Sequence, residues 1–199
     1  MVLKIGTREF VLPPATNWFN QNCNNLQMVT LYSTGWQPLE EKVGQFMTYA
    51  SQNVQGNEAS IVTELTKVKN YLNTLLDNAN AYRVWAIQTR NLKRKDKPEG
   101  CPKNDNDYNT QIGKCEVMMR EMRNLRDSVE KRLGEAEALY EAMQEGGAGY
   151  NARLEQTIAG LQDAGKKAEQ ASDYSKYALW AVAGLVFVFI IFRIVKRKK

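Results

Sequence analysis

From Ile61 onward, apolar residues recur in alternating steps of four and three, through Leu65, Val68, Leu72, Leu75, Ala79 and Tyr82 to Ala86. That period does not suit a strand; it lines these side chains along one seam of a helix, which must find a partner seam. A second seam supplies it: Cys115, Met118, Met122, Leu125 and Val129, then, after one additional four-residue step, Leu133, Ala136, Tyr140 and Met143. The additional step is a stutter, which locally unwinds a supercoil. A polar stretch rich in Asn, Asp, Pro and Gly separates the seams, so the chain is expected to fold back as an antiparallel hairpin about residues 102 to 103. In that register Lys67 and Lys69 lie near Glu137 and Glu135.

The remaining chain is organised around this hairpin. Residues 1–36 form a small β or irregular segment, in which Val2 to Ile5 and Arg8 to Leu12 flank Gly6-Thr7, a pair suited to a type II′ turn. Leu26 to Tyr32 is a candidate third strand. Pro38 with Glu40 and Glu41 opens a helical segment over 37–97, since Pro suits a first turn and acids complement the helix dipole there. A polar loop follows over 98–110, then a second long helix over 111–145. Three glycines within 146–149 mark a hinge, and 150–176 reads as a membrane-proximal helix whose small residues Gly165 and Ala168 permit close approach.

From Tyr177 to Phe192 no charge occurs for 16 residues, and snorkelling by Arg193 extends the apolar stretch to Val195. Helical, the segment 177–195 measures roughly 28 Å, close to the thickness of a bilayer's hydrocarbon core. Tyr177 and Trp180 suit one interface, Phe187, Phe189 and Phe192 the apolar interior, and the 196–199 tail with Lys196 and Arg197 the other interface. The expected fold class is therefore mainly α: an antiparallel helical hairpin or coiled-coil bundle with a small N-terminal β element and a C-terminal transmembrane helix.

The opening residues carry no signal-peptide core, which places the body on the cytosolic side with the anchor inserted after synthesis. No Asn-x-Ser/Thr sequon occurs, which points the same way. The cationic tail pulls the other way, because such clusters prefer the cytoplasmic side. The short anchor with its basic tail resembles the targeting signal of mitochondrial outer-membrane tail anchors; an endomembrane or a virion's internal membrane fits equally.

The chain has no histidine, which removes Ser-His-Asp and Cys-His nucleophiles and the commonest metal ligand. No catalytic residue, cofactor site or metal site is expected. Of the cysteines Cys23, Cys101 and Cys115, the last two close a short loop that a disulfide could span, although free thiols in a reducing compartment are the favoured reading. The basic cluster from Arg90 to Lys97 suits phosphates, anionic lipid heads or nucleic acid, but it lacks interleaved aromatics and a recognisable binding fold, so a solvated helix end is favoured over all three.

These features point to a membrane-anchored structural or tethering protein whose partners are the lipid bilayer and other subunits, as a hetero- or homo-oligomer. A virion component joining shell to membrane fits, as does a subunit of an organellar complex. The alternative is membrane fusion or trafficking: heptads near a C-terminal anchor are similar to the general plan of SNARE proteins. Gly165 and Ala168 depart from the large apolar layers that plan implies.

Overall fold

The structure, a computed structural model, describes residues 1–14, 18–21, 23, 31–145, 147 and 149–171. Two strands, β1 (Val2–Ile5) and β2 (Arg8–Val11), pair antiparallel with Leu3 opposite Phe10 and Ile5 opposite Arg8. Gly6 alone of the two turn residues has a positive φ, 58°, as a II′ turn requires. Leu3, Ile5, Phe10 and Leu12 are buried, while Val2 and Val11 face solvent. Phe10 packs edge-on against Phe46, and Tyr71 donates to the Pro13 carbonyl at 2.6 Å, fastening the strands to the helices.

A π-helical turn, Tyr32–Trp36, leads into α1 (Gln37–Gln52), followed by α2 (Glu58–Asn91), α3 (Asp105–Gln144) and a further helix, α4, over 150–171. The described part is thus mainly helical, with one small antiparallel sheet at the N-terminus. Trp36, Leu39, Val43, Phe46, Met47 and Ala50 give α1 one buried face at helical spacing. The candidate third strand is not seen at its end, where Leu31 and Tyr32 are helical; its other residues lie outside the described ones.

Several boundaries differ from the sequence reading. The segment 37–97 is two helices, interrupted at Asn53–Asn57, where Gly56 adopts φ 80° and the Asn53 amide donates to the Tyr49 carbonyl. The second of them stops at Asn91, and α3 begins at Asp105, earlier than 111. Asn104 caps it by accepting from the Asn106 N–H, and Asp105 and Asp107 complement the dipole in the first turn. The asparagines and aspartates that read as loop are helix-starting residues.

The hairpin register shifts accordingly. Lys69 pairs with Glu130 at 2.7 Å, Arg83 with Glu116 at 2.6 Å, and Arg90 donates to Asn109 at 2.8 Å, each centred between Glu99 and Gly100. Lys67 meets Glu64 on its own helix instead of Glu137. Beyond the stutter the buried positions are Ala136, Leu139 and Ala142, while Met143 is exposed. The face has rotated because α4 packs on this end of α3: Arg153 donates to the Ala138 carbonyl and Thr157 to that of Glu135.

Tyr82 is fully buried in the hairpin beside Phe19 and Trp85, yet its hydroxyl has no hydrogen-bond partner among the described residues. An unmet buried hydroxyl costs the native state its hydration. Tyr82→Phe is therefore expected to stabilise the protein by about 1 kcal/mol, read as a rise in the thermal midpoint.

Candidate functional site

α4 runs antiparallel to α3 and beside α1, and its grip depends on glycine. At Gly44 and Gly165 the backbones of α1 and α4 approach so closely that a Cβ on either residue would lie 2.9 Å from the other's carbonyl oxygen. Thr48 donates to Glu169 at 2.8 Å one turn further on. At Gly160 the missing side chain makes room for the Arg132–Glu135 ion pair, 2.7 Å long and nearly enclosed. Tyr150 holds the start of α4 by donating to Glu58.

Where α4 diverges from α3, the three helices bound an open cleft of about 520 Å³. Leu125, Ala164 and Ala168 supply apolar walls, and Glu40 and Glu121 bring two carboxyl groups to it. Glu121 is held from α1's side, accepting from Trp36 Nε1 at 2.9 Å and the Tyr32 hydroxyl at 3.0 Å. Glu40 is only 7 % exposed. Burial, and then the charge of Glu121, push its carboxyl up to about 8, so it is mainly protonated at neutral pH. Lys167 lines the cleft but is engaged with Asp163 at 2.8 Å.

A raised carboxyl has a definite consequence for stability. Between the ordinary value of 4.5 and about 8, the unfolded chain loses the Glu40 proton while the folded chain keeps it. Stability therefore falls as pH rises through that window, by about 1.4 kcal/mol per unit from this group, and levels off above it. Glu40→Gln is expected to flatten this slope and to be more stable than the parent at pH 8, which thermal melts across pH 5 to 9 will check.

The other built feature is the hairpin tip. Cys23 and Cys101 form a disulfide, with Cα atoms 4.8 Å apart, which ties the N-terminal segment to the interhelical loop. The bond replaces both sequence readings, free thiols and the candidate Cys101–Cys115 pair. Cys115 is a free thiol buried in the seam, donating to the Ala79 carbonyl at 3.4 Å. Burial, with Glu116 adding and Arg83 opposing, pushes it up to about 12, the state of an inert packing residue. Helix geometry explains the exchange: Cys115 lies in the third turn of α3 facing α2, and Cys101 lies in the loop before that helix. Beside the disulfide, Lys97 is buried, bonded to Asp105 at 2.7 Å and 4.9 Å from the centre of the Tyr108 ring.

Of the residues singled out from sequence, Leu65, Val68, Leu72, Leu75, Tyr82, Met118, Met122, Leu125, Val129 and Leu133 all lie in the buried core. The proposed anchor, Tyr177 to Val195 with its flanking cations, lies outside the described residues, and no helix among those described is long and apolar enough to cross a membrane. Sequence reading missed Glu40 as a buried acid, treating it only as a helix opener. The signal was there, since position 40 falls four after Trp36 and three before Val43 on the apolar face. Among the described residues no group of three or more Cys, Asp or Glu is placed to hold a metal. Comparison of the chain with protein-family models, with curated proteins and with solved structures gives no match.

Proposed function

We propose that this chain is a membrane-anchored tether, a rigid helical body fixed to a bilayer by its C-terminal apolar segment and packing with other subunits of an assembly. The observation that carries the reading is the manner in which α4 is held. It is gripped along its length, at Glu58, Ala138, Glu135, Gly44 and Thr48, and ends its described course six residues before Tyr177 in sequence. An anchor attached to such a helix transmits force and orientation to the whole hairpin. A virion component joining shell to membrane, or a subunit of an organellar complex, needs that coupling.

The disulfide bears on orientation. Persistent disulfides belong to oxidising surroundings, which include the outer faces of membranes and virions. Cys23–Cys101 and the cationic tail therefore both favour the body on the side away from the cytosol, against the expectation drawn from the opening residues. Crosslinking in the native membrane followed by mass spectrometry tests the reading. Reproducible links from Lys114 or Lys131 to another subunit support it; a body that stays monomeric and recovers no partner in mild detergent contradicts it.

A further inference from the structure

We propose that the hairpin tip is a second membrane contact, a basic patch that binds anionic lipid headgroups on the face of the same bilayer in which the chain is anchored; this rests on the anchored reading above. Three observations meet there. The first is direction. α4 runs antiparallel to α3, with Thr157 bonded at Glu135, Gly160 over Arg132, and Ala171 lining the cleft beside Glu121. The chain therefore leaves the described bundle heading towards the tip, not away from it.

The second is distance. From Glu121 to the start of α3 at Asp105 the helix extends roughly 24 Å beyond the level of Ala171. Only residues 172–176 separate Ala171 from the apolar run, and five residues reach at most about 18 Å even when extended. With its axis near the membrane normal, the hairpin would have its tip at or below the headgroups. It must lean until the tip rests on the surface.

The third is chemistry. Leu92 is 43 % exposed, and Lys93, Arg94 and Lys95 follow it, all exposed and in no ion pair among the described residues. The tip's other cations are Lys97, consumed internally by Asp105 and Tyr108, and Lys103, whose ammonium donates to the Lys97 carbonyl at 3.3 Å; these bonds shape the loop and leave residues 93 to 95 outward. The run from Lys93 to Lys95 contains no acid; Asp96 directly follows it, Glu99 lies towards Cys101, and Asp105, engaged by Lys97, and Asp107 open α3. An apolar side chain followed by free cations on a disulfide-pinned loop matches a phosphate-rich surface with an apolar interior.

The test uses the full chain in lipid nanodiscs, with lysine acylation by a water-soluble reagent quantified by mass spectrometry. In discs containing phosphatidylglycerol, Lys93 and Lys95 are expected to react roughly fivefold more slowly than in discs of phosphatidylcholine alone. High salt should abolish the difference, and Lys42 and Lys131 should react alike in both. Arg94→Glu should raise the reactivity of Lys93 and Lys95 in the anionic discs towards the neutral-disc value. Equal rates in the two discs overturn the proposal, as does protection in neutral discs by inorganic phosphate alone. A chain that fails to co-elute with discs overturns the anchored reading itself, a result distinguishable from uniform labelling of an incorporated chain.

Discussion

Replacing Gly165 with valine will detach α4 from the bundle. Even the first carbon of a side chain there would meet Thr48 Oγ1 at 2.4 Å, the Thr48 backbone nitrogen at 2.8 Å and the Gly44 carbonyl oxygen at 2.9 Å. A hydroxyl can rotate aside, but two of these atoms belong to the backbone of a packed helix, so α4 itself must move. Overpacking of this kind costs about 3 kcal/mol, and here it also breaks the Thr48–Glu169 bond. Limited proteolysis should show new cleavage near Arg153, and the thermal midpoint should fall. Gly134→Ala is the control: nothing lies within 4 Å of its added carbon, and a glycine inside α3 is replaced by a better helix former. That variant should gain about 0.5 kcal/mol or more. If both variants behave alike, the close crossing of α1 and α4 is wrong.

Reduction of Cys23–Cys101 is expected to lower the stability of the chain strongly. The bond closes a loop with a sequence separation of 78, and the loss of that constraint on the unfolded state amounts to about 4 kcal/mol. The N-terminal segment follows the hairpin from Pro13 at Tyr71, past Phe19 at Tyr82, to Cys23 at the tip. Without the bond, that strap loses its distal attachment. Cys23→Ser and Cys101→Ser should melt at the same lowered temperature, and neither should respond further to reductant. Cys115→Ala should keep the parent's sensitivity to reductant, because its thiol packs against Ala79 and takes no part in the bond. A reductant response lost in Cys115→Ala would restore the pairing that spacing alone suggested.

The core of the hairpin was legible because it is periodic: a seam from Ile61 to Ala86 survives errors of several residues at either end. Register was not, because it depends on where the helices stop. That in turn rests on whether Asn104, Asp105 and Asp107 form a loop or a cap, and their types suit both roles. The cysteine pairing depended on the path of the first 23 residues, about which Cys101 and Cys115 carry no local information.

The cleft was hidden for a related reason. Gly165 could be read as a close-approach residue, but nothing in the sequence marks Gly44 as its partner. Glycines signal proximity without naming what comes near. Arg132 and Glu135 likewise look like solvent-facing charges until Gly160 is placed over them. The buried character of Glu40 follows from its phase on α1, whereas its pairing with Glu121 required the fold.

Alkaline carbonate extraction of membranes carrying the full chain separates an inserted anchor from a peripherally bound body. The tether account predicts that the chain stays in the membrane pellet, and that Phe187→Arg with Phe189→Arg moves it to the supernatant while the Cys23–Cys101 bond remains formed. Release of the unaltered chain by carbonate would contradict the account.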